Sequence, residues 1–364
     1  MSHEKHTIEQ LRRSLNISVI LNVLMALAMF VGIVVTLTTG WPDWQPGKWF
    51  IGKGNPSPYE VADSNEPDSM TMAISRKLTL WQGKNAEYAP ANDTGELIRY
   101  GRELIANTAA YLGPKGSVAR VTNGMNCQNC HLDAGTKPWG NNYGAVASNY
   151  PKFRKRSGTV EDIYKRVNDC VERSLNGQPL QTSSREMQAM AMYINWLGSD
   201  IPKNEIPTGT GIVALPFLDR AADPVRGEKV YAEKCKTCHG PDGQGLLAVD
   251  GKTYSYPPLW GPHSYNNGAG LYRLSRFAGY VKNNMPFGAT WQNPQLSDEE
   301  CWDVAAFVNS QPRPKKDLSA DWPDISGKPV DHPFGPYVDG FSEKQHKFGP
   351  FQPIKDELAA LKKQ

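Results

Sequence analysis

Two pentapeptides constrain this chain more than anything else in it: Cys127-Gln128-Asn129-Cys130-His131 and Cys235-Lys236-Thr237-Cys238-His239. Cysteines three residues apart, followed at once by histidine, form the attachment signature of c-type heme. The reason is reach. Both thiols meet the vinyl groups of one porphyrin edge as thioethers, and the adjacent imidazole stands on one side of the iron. A single match also fits a zinc or redox C-x-x-C. Two matches, each with its histidine, specify two covalently bound heme c groups. Of the six cysteines, only Cys170 and Cys301 are left over.

The flanking sequence repeats in the same order around both motifs. Before the second, Gly227, Tyr231 and Cys235 recur every four residues and share one helical face, where Gly227 permits close approach of another helix. After it comes "LSDEECWDVAAFVNS", with Ser297 as N-cap, acidic residues in the first turn, and an apolar face of Trp302, Ala305, Ala306 and Val308. Around the first motif, a helix is predicted from near Thr94. "REMQAMAMYINWLG" closes the unit, with Met190, Tyr193, Ile194 and Leu197 as core. Pro151 and Pro258 lie 20 and 19 residues beyond His131 and His239, where a proline carbonyl would orient each imidazole.

The expected fold is therefore mainly α: two tandem class I cytochrome c domains with an N-terminal transmembrane helix and an extended C-terminal strap. The boundaries are a cytoplasmic N-terminus at 1–16, an anchor at 17–38, a linker at 39–92, the first heme domain at 93–203, a linker at 204–218, the second heme domain at 219–311 and the tail at 312–364. The anchor rests on Ile17–Leu37, 21 residues without a charge. At ~1.5 Å per residue they span a ~30 Å hydrocarbon core. A secretory signal has a shorter apolar run and a small-residue cleavage site. Lys5, Arg12 and Arg13 precede the run and Trp41 and Trp44 follow it. The positive-inside rule then places the N-terminus in the cytoplasm of a bacterium and the heme domains in the periplasm, on the inner membrane. A net charge of +3, with no basic stripe, gives no reason to expect nucleic acid.

The two irons differ in what the sequence offers on their far side. In the second domain, Met285 of "VKNNMPFG" lies 46 residues after His239 and suits a thioether ligand; Lys282 is its weaker rival. The first domain has no Met-Pro between His131 and its closing helix. It has "TVEDIYKRVNDCVERSLNG", read as a helix that Thr159 caps, Glu161 and Asp162 begin and Gly177 ends. Arg166, Cys170 and Ser174 fall on one face of it. Three readings of Cys170 stay open: an inert buried thiol, a disulfide with Cys301, or a thiolate on the first iron, which a cation one turn away favours.

At these residues the chain resembles the diheme thiosulfate dehydrogenases. The likeness runs from about Thr94 to about Ile354 and is carried by "NGMNCQNCHLDAGTKPWGNN", "YPKFRKRSG", "RVNDCVERSLNG", the second heme domain and "FGPYVDGFSEKQHKFGPF". The resemblance implies His131 and Cys170 on a catalytic heme, His239 and Met285 on an electron-transfer heme, and Arg156 and Arg166 as clamps on the anionic substrate with Ser174 beside the ligand. Some relatives carry lysine immediately before the ligand methionine; here Asn284 stands there. The implied reaction joins two thiosulfates into tetrathionate or runs in reverse, and a redox partner protein takes up or supplies the electrons. "KFRKR" (152–156) also reads as a solvated basic loop. Thiosulfate is a dianion, so Arg, whose planar fork grips oxyanions, suits the clamps.

Two other classes compete. A membrane-anchored diheme electron-transfer subunit without a substrate of its own would use methionine on both irons. A diheme peroxidase would need an acid/base group beside the first heme, and none is marked. In the tail, His332 and His346 are expected to be structural, as is His263, and "ELAALKKQ" to form at most a short exposed helix.

Overall fold

The computed structural model describes residues 80–362. The apolar run at 17–38, the expected anchor, lies outside the described residues, as do the N-terminus and most of 39–92. Among the described residues no helix is long and apolar enough to cross a membrane.

The architecture is mainly helical. The main helices are α1 (Asp93–Ala106), α2 (Ile163–Arg173), α3 (Arg185–Leu197), α4 (Pro224–Lys234), α5 (Leu274–Asn284), α6 (Asp298–Ser310), α7 (Glu343–Phe348) and α8 (Gln352–Leu361). Single turns join them, including Lys236–His239 in the second motif. The strands are short: β1 (Lys152–Arg154) and β2 (Thr159–Glu161) form an antiparallel ribbon with Phe153 opposite Val160, and Leu246–Leu247 pairs with Tyr254–Tyr256.

Each cytochrome unit is built on one helix crossing. Asn92 caps α1 by accepting from the Gly95 N–H, and Asp93 and Glu96 complement the dipole of its first turn. Its apolar face packs Ile98, Leu104 and Ile105 onto Met187, Met190, Tyr193, Ile194 and Leu197 of α3. Of the α3 methionines, Met187 and Met190 are core, as expected, and Met192 is exposed. Fully buried side chains such as Leu104 and Leu197 each contribute about 1.5–3 kcal/mol of transfer free energy. In the second unit Ser297 caps α6 through a reciprocal capping box with Glu300. Both crossings depend on glycine: a Cβ on Gly101 would overlap the Ala189 carbonyl of α3, and one on Gly227 the Asp303 carbonyl of α6.

Three local expectations are corrected. Helix α2 begins later than its composition suggests: Thr159–Glu161 is the strand β2, and Asp162 is the N-cap, accepting from the Lys165 N–H. The β-branched pair Thr159-Val160 favours the ribbon, and Glu161 is buried. The helix also stops at Arg173, before Gly177. The tail is irregular only to about residue 342; α7 and α8 follow, and Phe351 and Ile354 join the second core.

The tail ties the two units together. Asp321 accepts both prongs of the Arg173 fork, at 2.8 and 2.9 Å, and the Trp322 N–H donates to the Arg156 carbonyl at 2.6 Å. Asp331, buried, accepts from Arg273 Nε at 2.8 Å and from the Ser275 N–H at 3.0 Å. His346 is structural, bonded to the Val330 carbonyl and Asp339 and stacked on Tyr337.

Two outcomes follow from this packing. Alanine exceeds glycine in helix propensity by about 1 kcal/mol, yet the overlap at the crossing costs about 1–3 kcal/mol; Gly227→Ala is therefore expected to lower the guanidinium midpoint of the holoprotein. A raised midpoint would show that the helices separate without cost. Burial alone would raise the Asp331 pKa, but Arg273 and Ser275 hold it below the usual carboxylate range. The unfolded value is about 3.9, so this group's contribution is complete above it and is lost as pH falls through the lower folded value. Asp331→Asn is expected to flatten the acid limb of stability against pH and to cost up to about 3 kcal/mol at neutral pH, read by denaturant titration at several pH values.

Candidate active site

The first motif is held by the turn that follows α1. The Cys127 N–H donates to Thr108 Oγ1 at 2.9 Å, and Asn126 Oδ1 accepts from the Ala109 N–H at 2.8 Å. His131 lies against the ring of Tyr143, centroids 4.5 Å apart. Its Nδ1 is 2.5 Å from the Asn141 carbonyl. A carbonyl only accepts, so Nδ1 carries the proton and Nε2 keeps its lone pair for a metal. In the second motif His239 Nδ1 meets the Pro257 carbonyl at 2.9 Å. Proline carbonyls were expected from Pro151 and Pro258; the true partners are Asn141 and Pro257. In the first domain the loop turns back sooner than spacing suggests, at Asn141, whose φ of 59° is left-handed. Burial lowers the pKa of His131 to about 4 and also lowers that of His239, so both imidazoles stay neutral.

Each motif opens onto a large cavity. The first, about 380 Å³, is lined by Cys127, Cys130, His131, Arg166, Cys170 and Ser174. The second, about 610 Å³, is lined by Cys235, Cys238, His239 and Met285. At ~30 Å³ per water these volumes hold a dozen waters or more, far beyond the voids a packed interior tolerates. Burial pushes Cys127 up to about 11 and Cys130 to about 12, which keeps them uncharged thiols at the cavity edge. Two thiols, one metal-ready imidazole and an oversized apolar void fit a covalently attached heme in each domain. Among the described residues no methionine lines the first cavity. Cys170 lines it together with His131. It is a free cysteine, and so is the buried Cys301, so no disulfide joins them. Met285 follows directly on α5, whereas Lys282 pairs with Asp298 at 2.6 Å and lines neither cavity.

A smaller recess of about 90 Å³ shares Cys130, His131, Arg166, Cys170 and Ser174 with the first cavity. Arg156, Arg166, Cys170 and Ser174 all line it, so these four expected site residues do meet. Arg166 and Ser174 sit one turn either side of Cys170 on the α2 face, and the Ser174 N–H donates to the Cys170 carbonyl at 2.7 Å. Cys170 is the first cause that raises the pKa of Arg166. Arg156 is held to about 10, by burial first and then by Arg173 and Arg166. Sequence reasoning missed Arg173 and Arg276, which line the same recess. Arg173 is one helical turn beyond Asp169 and was legible only as a surface charge; Arg276 arrives from the second domain, with no sequence signal linking it to Cys170. The lining carboxylate, Asp169, is ion-paired with Lys165.

The linker between the domains also builds the site. The Trp139 N–H donates to the Gly209 carbonyl at 2.7 Å and the Asn141 N–H to the Gly211 carbonyl at 2.9 Å. Ile212 lines both the cavity and the recess.

Comparison with known proteins agrees with this geometry. Residues 117–202 match the SoxA/TsdA cytochrome c domain and residues 224–312 the cytochrome c domain, each range holding one motif. The thiosulfate dehydrogenase of Allochromatium vinosum is 37% identical over 258 residues, which cover 70% of this chain and 88% of that protein. That of Stutzerimonas stutzeri is 38% identical, covering 62% of this chain and 70% of that protein. The solved structure of the thiosulfate dehydrogenase TsdBA from Marichromatium purpuratum, in its as-isolated form, superposes with a TM-score of 0.61 at 29% identity. That match covers 75% of this chain and 55% of the other. With two covalently bound c-type hemes and this degree of likeness, the chain belongs to the thiosulfate dehydrogenase family of diheme cytochromes c.

Proposed function

We propose that this protein oxidises two thiosulfate dianions to one tetrathionate dianion, releasing two electrons. The observation that carries the reading is the recess in which Arg156, Arg166 and Ser174 converge on Cys170. Two dianions repel each other, and guanidinium forks offset that repulsion while gripping sulfonate oxygens in pairs. His131 and Cys170 would hold the first heme and His239 and Met285 the second. Each heme, when bound, accepts one electron, which matches the two that the reaction releases.

Cys170 does more than ligate in this scheme. Its thiolate joins the outer sulfur of one thiosulfate, forming a Cys–S–S–SO₃⁻ adduct as two electrons leave. The second thiosulfate then attacks that outer sulfur. Tetrathionate departs and the Cys170 thiolate returns, so atoms and charge balance. Arg166 steadies the sulfur when it is anionic, and Ser174 orients a sulfonate oxygen. The electron-carrier alternative is disfavoured by the first cavity, whose lining holds the Cys170 thiol and, among the described residues, no methionine.

Electrons would leave through the second heme domain to a redox partner protein. We also propose that residues 17–38 anchor the protein in the bacterial inner membrane with the heme domains in the periplasm; the support is the length of the uncharged run and its flanking charges.

Cys170→Ala is expected to lower thiosulfate-dependent ferricyanide reduction at least ~10³-fold, the scale for loss of a nucleophile, and to abolish the thiolate–heme electron paramagnetic resonance signal. Full activity in this variant would end the proposal. Arg166→Gln is expected to raise the KM for thiosulfate about tenfold or more in steady-state assays.

A further inference from the structure

We propose that Arg276, carried by the second cytochrome domain, is a third substrate-binding cation, so that the anion site is completed across the boundary between the two domains. The inference rests on the thiosulfate reading above and adds a residue to it.

The charges around the recess are unequal in what they have left to give. Arg173 is committed to Asp321 through both prongs of its fork. Asp169 is committed to Lys165. Arg156 makes only a long contact, 3.5 Å, to the Gly268 carbonyl. Arg166 and Arg276 have no side-chain hydrogen bond and no carboxylate partner among the described residues. Three guanidinium groups without a carboxylate ion pair among the described residues therefore stand around one recess of about 90 Å³. At ~30 Å³ per water that volume admits about three waters or one small oxyanion. Like charges crowded in this way are unfavourable unless an anion joins them.

Arg276 is also placed to stay there. It lies on α5 with Tyr280 and Asn284 at i+4 and i+8, one face of the helix. The Tyr280 hydroxyl donates to the Asn129 carbonyl inside the first motif at 2.8 Å, and Asn284 Nδ2 donates to the Trp139 carbonyl at 3.1 Å. Two hydrogen bonds thus dock this face of α5 on the first domain and aim its first turn at Cys170. Arg276 lines the 380 Å³ cavity as well as the recess, so it stands with Arg156, Arg166 and Cys170 around the same space. Its pKa is lowered, by burial first and then by Arg273, with Arg154 and Arg166 adding to the effect.

The test uses the oxidised holoprotein and tetrathionate, which that form cannot reduce, so binding is read without turnover. Isothermal titration at fixed ionic strength gives the Kd, and steady-state kinetics with thiosulfate give KM and kcat. Arg276→Gln is expected to weaken tetrathionate binding and raise the thiosulfate KM, each about tenfold or more, with kcat changed by less than about threefold. Arg276→Lys, which keeps the charge and loses the fork, is expected to fall between. Because the Arg276 side chain makes no hydrogen bond and no ion pair among the described residues, neither change is expected to disturb folding. Unchanged Kd and KM in Arg276→Gln, or a fall in kcat at constant Kd, overturns the assignment. Wild-type protein that neither binds tetrathionate nor oxidises thiosulfate would instead overturn the functional reading on which it rests.

Discussion

Crowding of positive charge around one thiol is the constraint that organises this molecule. Arg156, Arg166, Arg173 and Arg276 line a single small recess with Cys170. Left alone, such a cluster opposes folding, because each cation loses water and gains like-charged neighbours. The structure contains the cost in two ways. Asp321, brought by the tail, neutralises Arg173 and stands near Arg156. Cys170 offers a sulfur that interacts favourably with Arg166 when ionised. What stays unbalanced is suited to anions from solution. The suitability of the recess for anions and its drain on stability have one electrostatic origin.

The helix crossings make that arrangement possible. Gly101 and Gly227 let α1 meet α3 and α4 meet α6 at backbone contact, which leaves the opposite side of each unit free to enclose a heme. The tail then adds what a small cytochrome core lacks. It supplies Asp321 to Arg173, which lines the recess, and Asp331 to the start of α5. A strap that only covered surface would not need two carboxylates, Asp331 buried and Asp321 partly so, paired with arginines from different domains.

Much of this was legible in the sequence, and the boundary of legibility is physical. The heme motifs, the α6 cap at Ser297, the glycine at the second crossing and the phase of Arg166, Cys170 and Ser174 are local features, set within one or two helical turns. Met285 was legible because it ends a helix at a usual distance from His239. What stayed hidden is non-local. Arg276 lies 106 positions from Cys170 in the chain, and no periodicity connects them. Asp321 sits in a proline-rich stretch that looks unstructured by composition. The histidine partners were misplaced because a backbone carbonyl has no residue signature: any residue can supply one, and only the loop's path decides which. Thr159 was misread because a threonine before acidic residues looks like a cap, while cross-strand pairing with Arg154 was the competing, stronger use.

The helix α5 shows why the two cytochrome units are not independent modules. Along 11 residues it carries Arg276 to the recess that Cys170 lines, Tyr280 to the first heme motif and Asn284 to the loop at Trp139, and it ends where Met285 enters the second cavity. A rigid helix fixes the spacing of these four residues to 1.5 Å per residue of rise. Any shift of α5 that moved Met285 would also move Arg276. The second cavity is itself walled partly by Asn129 and Cys130 of the first motif, so the two cofactor sites share a boundary only one loop thick. The recess, the two heme cavities and the boundary between them are therefore parts of one packed interface, and a change to the face of α5 acts on all of them.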